Sequence, residues 1–286
     1  MVIRTKILEC RILSVSRMKK IFLYAMIAAF TFTGASCGSK VKKEDGGSQA
    51  TSRDIQFESY TFDLIGEYYG EDSIPTPGGR LTRFIGHGVL PQDIGDTDIH
   101  NLRETLLDMA GVRFEDGNPV PVLPDSTRLT DLVAADTEAC GESISALSTT
   151  LVTPRAVVWE SENYGYACLA AHGNTSIKFV NFCLTDGKII KLEDLFITRY
   201  EKPLLKLIRE KLKSSDHDLL MPVSQVELPE QFGLTSKGII FSYDPYMIAP
   251  YSEGTIQVEL SAGELIDILS AHGQYILLGV NQSEED

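Results

Sequence analysis

Local signatures of metal, redox and nucleotide chemistry are missing from this chain. It has no Cys-x-x-Cys pair, no His-Glu-x-x-His, no P-loop and no Gly-x-Gly-x-x-Gly fingerprint. Zinc knuckles, thioredoxin-like exchange and phosphate cradles therefore have no local support. The five histidines are His87, His100, His172, His217 and His272, and no two share metal-ligand spacing on one face. Neither a metal site nor a cofactor is expected. Positive charge is also scarce, with 26 Lys/Arg against 40 Asp/Glu and a net charge of −14. A field of that sign disfavours nucleic acid and anionic lipid surfaces and attracts cationic partners. Solubility explains the same charge more plainly.

What is present begins with a secretory pattern. Met18-Lys19-Lys20 is a charged start, Ile21–Phe32 is a twelve-residue apolar run, and Thr33-Gly34-Ala35-Ser36-Cys37 ends it. The run is too short to span a bilayer and has the order of a signal peptide. Small residues ending at Cys37 resemble a bacterial lipobox, which implies cleavage before Cys37 and acylation of its thiol. Met18 is a better start than Met1. Removing residues 1–36, with six Lys/Arg and one Asp/Glu, leaves 20 basic and 39 acidic side chains, a net charge of −19. Gly34-Ala35-Ser36-Cys37-Gly38 matches a nucleophile-elbow pattern, but its place on the leader excludes that role. Residues 37–52 are Lys-, Gly- and Ser-rich and read as a flexible tether.

Cys140, Cys168 and Cys183 follow. An oxidising compartment allows them one disulfide. Cys168 and Cys183 stand in adjacent expected strands and are the favoured pair. Buried free thiols fit equally well.

The body predicts an α+β fold, mainly antiparallel and rich in hairpins. Strands are expected over Ile55–Ile65 and Leu81–Leu90, with Gly86 and Gly88 weakening the second or marking a bulge. Ile99, Leu102, Leu106 and Met109 have helical spacing, with Asp96 and Asp98 as caps and Gly111 as the stop. Ser73–Gly79 reads as a connection. Pro119–Pro124 reads as a loop and the best internal boundary. An N-terminal α+β region (53–153) and a C-terminal domain (154–282) are expected. Thr127–Thr150 is expected to hold one or two short helices.

The second half is clearer. Ala156–Trp159, Tyr164–Ala170 and Ile177–Leu184 are strand-like, and Thr185-Asp186-Gly187-Lys188 is a hairpin turn leading to Ile189–Leu192. A helix carries Leu204, Leu205, Leu207, Ile208 and Leu212. Thr198 and Glu201 have capping-box spacing, but Pro203 favours a start at Lys202. Phe232–Leu234 and Ile239–Tyr243 form another hairpin, and Thr255–Leu260 alternates as a strand. Ser261-Ala262-Gly263-Glu264 is a capping box, Tyr275–Val280 a last strand, and Ser283–Asp286 a fraying tail.

Candidate chemistry is thin. Asp93, Asp96 and Asp98 suggest calcium only weakly, since the rest of an EF-type loop is missing. Glu193 and Asp194 are adjacent carboxylates of the sort any acidic protein carries. The tyrosines are more informative. Tyr243, Tyr246 and Tyr251 fall in Gly238–Gly254, with Pro245 and Pro250 between strands. Tyrosine offers large area, few rotors and a polar tip, which suits recognition as well as packing. These three are the ligand-binding candidates.

Two stretches together resemble the RsiV-like extracellular domain family. The first holds Ala171-His172-Gly173, Thr185-Asp186-Gly187-Lys188 and Leu192-Glu193-Asp194-Leu195-Phe196. The second holds Gly238, Phe241, Tyr246, Ala249-Pro250-Tyr251 and Gly254. The resemblance covers roughly Ala156–Leu269. It departs at Leu169-Ala170, where the family usually has Gly-Gly. Members include the sensor part of a lysozyme-binding anti-sigma factor, a non-catalytic region of PdaC-type peptidoglycan deacetylases, and lipoproteins of Bacteroides-like bacteria. The resemblance implies an envelope protein, anchored by lipid at Cys37, that binds a cationic protein such as lysozyme or a cell-wall component without catalysis. An envelope glycan or peptidoglycan hydrolase is one alternative, and a structural or assembly partner at the outer membrane is another.

Overall fold

The computed structural model describes residues 54–68, 80–123, 127–129 and 139–280. The signal segment, Cys37, the tether, the Ser73–Gly79 connection and the acidic tail lie outside the described residues. Ala50–Asp286 form one compact unit.

The expected α+β class with mainly antiparallel pairing is what the chain adopts. The principal sheet begins with two long strands, β1 (Ile55–Tyr68) and β2 (Arg80–Ile94). They pair antiparallel from Ile55↔Ile94 to Tyr68↔Arg80, with an irregularity at Gln56/Phe57. Gly86 and Gly88 lie within this ladder for a steric reason. A Cβ at Gly86 would fall 2.1 Å from the Phe62 ring, and one at Gly88 would fall 2.5 Å from the Tyr60 ring. The glycines make room for two aromatic rings rather than marking a bulge.

A helix, α1 (His100–Ala110), and a two-stranded ribbon, β3 (Val112–Glu115) and β4 (Asn118–Pro121), follow. The apolar spacing read from the sequence is the buried face of α1, namely Leu102, Leu106, Met109 and Ala110, and Gly111 ends it with φ +64°. Of the two expected caps, Asp98 is engaged, its Oδ1 accepting from the His100 N–H at 3.0 Å. The expected loop at Pro119–Pro124 is corrected to a strand as far as Pro121. Pro119 and Pro121 alternate, and the Val122 N–H bonds back to the Gly111 carbonyl at 2.8 Å. The prolines therefore turn their missing donors away from β3, where none is needed.

The stretch expected to be helical is also strand. It comprises β5 (Thr127–Leu129) beside β1 and β6 (Gly141–Val152) between its neighbours, with residues 130–138 outside the description. β6 pairs parallel with β2 and antiparallel with β7 (Ala156–Tyr166). Pairing on both sides outweighs the weak local preference of a Ser- and Thr-rich run. β7 pairs with β8 (Asn174–Cys183), and β8 with the short β9 (Lys188–Ile189) across the Asp186-Gly187 turn. The strand order is β5-β1-β2-β6-β7-β8-β9. The two halves assigned on either side of residue 153 thus share one sheet.

Ala156–Trp159 is buried on both faces. Val157 and Trp159 join Tyr60, Phe62, Leu90 and Phe182 under α1, while Ala156 and Val158 face a second core. The Trp159 Nε1–H donates to the Val89 carbonyl at 3.1 Å, so the chain's single tryptophan is buried with its polar atom satisfied.

The second core lies under the short helix α2 (Leu192–Leu195), α3 (Glu201–Lys213) and a three-stranded sheet, β10 (Gln231–Leu234), β11 (Gly238–Tyr243) and β12 (Ile256–Ser261). Leu204, Ile208 and Leu212 are the buried face of α3, and Pro203 sits in its first turn. Thr198 makes no cap. The helix starts at Glu201 with Tyr200 before it. Ser261 and Glu264 do form the expected capping box, on α4 (Ala262–Leu265). The expected last strand is corrected to a helix, α5 (Ala271–Leu278), opened by Ser270 and closed by Gly279 at φ +72°. A short apolar run has no period that separates strand from helix, and the caps at both ends decide it.

The small sheet is fastened to β8 by side chains. Outward-facing N–H groups at Ile177 and Phe179 donate to Asp244 Oδ1 at 3.0 Å and Gln231 Oε1 at 3.1 Å. Asn181, buried, donates from Nδ2 to the Phe232 carbonyl at 2.9 Å and accepts at Oδ1 from the Leu234 N–H at 2.8 Å. Two side groups thus cap the β8 edge at alternate positions, where a further strand would otherwise bond, and Asn181 reaches from β8 to the β10 backbone.

Candidate functional site

Two connections meet at one end of this arrangement, β7–β8 (167–173) and β11–β12 (244–255). The first is pinned at its base by a disulfide from Cys168 to Cys140, with Cα atoms 5.0 Å apart. The favoured Cys168–Cys183 pair is therefore corrected. Cys183 lies opposite Ala156 in the β7–β8 ladder, while Cys168 lies beyond the other end of β7. The ten steps of β7 from Ala156 to Tyr166 lie between the two, roughly 33 Å. Adjacency of strands is not adjacency of residues when the pairing is antiparallel. Cys183 is a buried free thiol, and burial pushes its pKa up.

After Cys168 the backbone turns, with the Ala170 N–H bonding to the Ala167 carbonyl at 3.0 Å and the Tyr166 hydroxyl donating to the Ala170 carbonyl at 3.2 Å. Leu169 takes φ +67° and is 82% exposed. This is one of the two positions where the resembling family has glycine. Leucine occupies a left-handed conformation that glycine would accept without strain.

The β11–β12 connection is rigid for local reasons. The Tyr246 N–H bonds to the Ala249 carbonyl at 3.0 Å, and the Met247 N–H to the Asp244 carbonyl at 3.1 Å. Pro245 and Pro250 restrict the flanking backbone. Tyr246 has φ +72°, an unusual setting for a bulky side chain, and is 54% exposed. Tyr251 opens a short 3-10 turn that ends at Glu253, whose carboxylate meets His217 Nδ1 at 2.9 Å.

These two connections bring three rings together. His172 stacks on Tyr251 with centroids 4.0 Å apart and planes 22° apart. Tyr246 stands beside that stack, 6.0 Å from each ring and inclined 32° to His172 and 27° to Tyr251. The Tyr246 hydroxyl meets His172 Nε2 at 2.9 Å, and His172 Nδ1 meets the Gly173 carbonyl at 2.9 Å. A carbonyl only accepts, so Nδ1 carries the hydrogen. In the neutral ring Nε2 then accepts from Tyr246. The result is a half-exposed aromatic platform, and the connections that carry it also expose Leu169 and Met247.

Of the three candidate tyrosines, two lie in the platform and one does not. Tyr243 is 2% exposed, and its hydroxyl donates to the Glu227 carbonyl at 2.8 Å. Burial raises its pKa strongly. It belongs to the second core, as its strand position requires. In the sequence His172 bears on metal ligation alone, and the one signal of its aromatic role is its place in the motif that resembles the family.

The other carboxylates have simpler settings. Asp194 Oδ2 accepts from the Lys191 N–H at 2.8 Å, closing the first turn of α2. Asp93, Asp96 and Asp98 line a concavity of about 770 Å³ with Asp54 and Asp186. Among the described residues, no three His, Cys, Asp or Glu side chains converge as a metal site. Among them also, no helix is long and apolar enough to cross a membrane.

Residues 193–262 match the profile of a family described as Protein of unknown function (DUF3298). The fold is similar to that of a DUF3298 family protein from Pseudomonas aeruginosa, with a TM-score of 0.51 at 16% identity. That alignment covers 77% of this chain and 97% of the other. A DUF3298 family member from Bacteroides fragilis aligns with a TM-score of 0.49 at 16% identity, covering 77% of this chain and 96% of that one. At such identity the likeness is one of fold alone. No curated protein matches the chain.

Proposed function

We propose that this chain is a non-catalytic binding protein of the bacterial cell envelope, lipid-anchored at Cys37, whose contact surface is the His172–Tyr246–Tyr251 platform. The observation that carries the reading is the platform itself. Three near-parallel rings stand together, and two large exposed residues of the same connections, Tyr246 in the platform and Leu169 three positions before His172, are held at positive φ. Strain of this kind costs of order 1–3 kcal/mol per residue and concentrates where binding or switching needs it. Rigid aromatic area with polar tips suits recognition at low entropic cost. The resemblance to RsiV-like domains and the lipobox-like leader support an envelope setting. The ligand is a cationic protein such as lysozyme, or a cell-wall component, and the acidic charge favours approach of the former.

The test is affinity capture from envelope extract with residues 50–286, which hold both cores. The expected result is a captured component that is lost when Tyr246 and Tyr251 are both replaced by Ala, with the melting transition retained. Equal capture by the folded double variant would remove the platform from the function.

A further inference from the structure

Resting on that reading, we infer that the platform takes a glycan, with the flat C–H face of a pyranose ring lying on His172 and Tyr246. Four features point to this ligand chemistry. His172 and Tyr246 are exposed, whereas Tyr251, stacked on one face of His172, is less so, and the sugar is therefore placed on the two more accessible rings. Those two rings are 6.0 Å apart and within 32° of parallel, so one flat ligand can lie against both. A pyranose with equatorial substituents offers an apolar C–H face of matching shape, and the negative π-face attracts its weakly positive hydrogens.

The polar tips are arranged for the rim of such a ring. The Tyr251 hydroxyl has no hydrogen-bond partner among the described residues and is not among their buried, unsatisfied polar atoms. It is therefore open to a sugar hydroxyl. The Tyr246 oxygen gives its hydrogen to His172 and keeps lone pairs to accept.

The surface is also preorganised. The Tyr246 N–H is held by Ala249, Pro250 fixes the approach to Tyr251, and the disulfide anchors the loop that carries His172. Weak stacking ligands gain most when the site does not have to order itself. A guanidinium or ammonium group is the competing ligand chemistry, since Asp244 beside Tyr246 keeps its Oδ2 after Oδ1 accepts from the Ile177 N–H, and the peptide arm of the experiment separates the two.

The experiment is a titration of residues 50–286, followed by histidine and tyrosine ring resonances. The probes are the β-1,4-linked tetrasaccharides of glucose and N-acetylglucosamine, with an arginine hexapeptide as the competing chemistry. The expected result is saturable binding of at least one tetrasaccharide that shifts the His172 and Tyr251 ring signals. Binding should weaken roughly tenfold or more in Tyr246→Ala and in His172→Ala, and stay unchanged in Ile266→Ser, an exposed position outside the platform. No tetrasaccharide binding, binding of the peptide alone, or binding that persists in both platform variants would each overturn the glycan assignment. If envelope capture still depends on Tyr246 and Tyr251 in that event, the platform reading stands with a different ligand. If capture is also independent of them, both fall together.

Discussion

The Tyr246 hydroxyl meets His172 Nε2 at 2.9 Å across 74 positions of chain. With Nδ1 committed to the Gly173 carbonyl, that bond holds one tautomer and one ring orientation. Tyr246→Phe keeps the ring and removes the donor. The bond is exposed, so stability should fall by no more than about 0.5–1 kcal/mol. The clearer readout is ¹⁵N NMR of His172, which should show mixed tautomers in the variant and a single Nδ1–H form in the parent. A single unchanged tautomer would show that Gly173 alone suffices.

Leu169 gives a prediction of gain. Its left-handed backbone costs about 1–2 kcal/mol for a residue with a Cβ, and its exposed side chain buries little. Leu169→Gly relieves that strain but frees the unfolded chain, for a net gain of about 0.5–1 kcal/mol. Leu169→Ala keeps the Cβ and should gain nothing. Urea midpoints of the two variants measure the difference directly.

Asn181 joins the two sheets through both ends of its amide. Asn181→Ala leaves the Phe232 carbonyl and the Leu234 N–H buried without partners, at a cost of about 2–4 kcal/mol. Asn181→Asp can still accept from Leu234, but its carboxylate cannot donate to Phe232. Burial would raise the new carboxyl's pKa, so this variant should lose stability as pH rises and recover part of it in acid. A destabilisation independent of pH would contradict that account.

The cysteines make a countable prediction. In residues 50–286, Cys140 and Cys168 are paired and Cys183 is buried. A thiol reagent should find almost nothing in the folded protein and a single thiol after denaturation without reductant. Cys140→Ser should lower stability by about 2–4 kcal/mol, since the closed loop is of ordinary length. Three thiols on denaturation would mean that the bridge does not form.

Glu264 sets an acid limb. Its carboxylate is held down to about 2 by Lys211 and by both groups of Ser261. A carboxyl depressed on folding adds stability that is complete above its unfolded pKa, about 4.3, and is lost as pH falls toward 2. The group is exposed and screened, so Glu264→Gln should cost only about 0.5–1 kcal/mol at pH 7. The variant's stability should fall less steeply than the parent's between those pH values. Parallel acid limbs would assign the capping box no electrostatic part.

Much of the frame was legible because its signals are local. The spacing of Leu102, Leu106 and Met109, the Asp186-Gly187 turn, the Ser261–Glu264 box and the Phe232/Phe241 hairpin each act within a few residues. Turn and cap chemistry is complete at that range, whatever the rest of the chain does. The misreadings fall where neighbours decide. β6 is strand because β2 and β7 pair on either side of it, and β4 because its prolines alternate outward. Cys168 meets Cys140 because antiparallel register carries Cys183 to the far end of β8.

The platform shows the same division most sharply. Residue identity alone marked Tyr246 and Tyr251 as large, stiff and polar-tipped, and equally marked Tyr243. Composition also established the acidic charge and the missing metal motifs. Only the folded chain could send the Tyr243 hydroxyl inward to Glu227 and bring His172 onto Tyr251, because burial and stacking depend on the meeting of the β7–β8 and β11–β12 connections. That meeting is set by sheet register and by the side-chain clasp at Asn181, Gln231 and Asp244. No spacing within either connection encodes it.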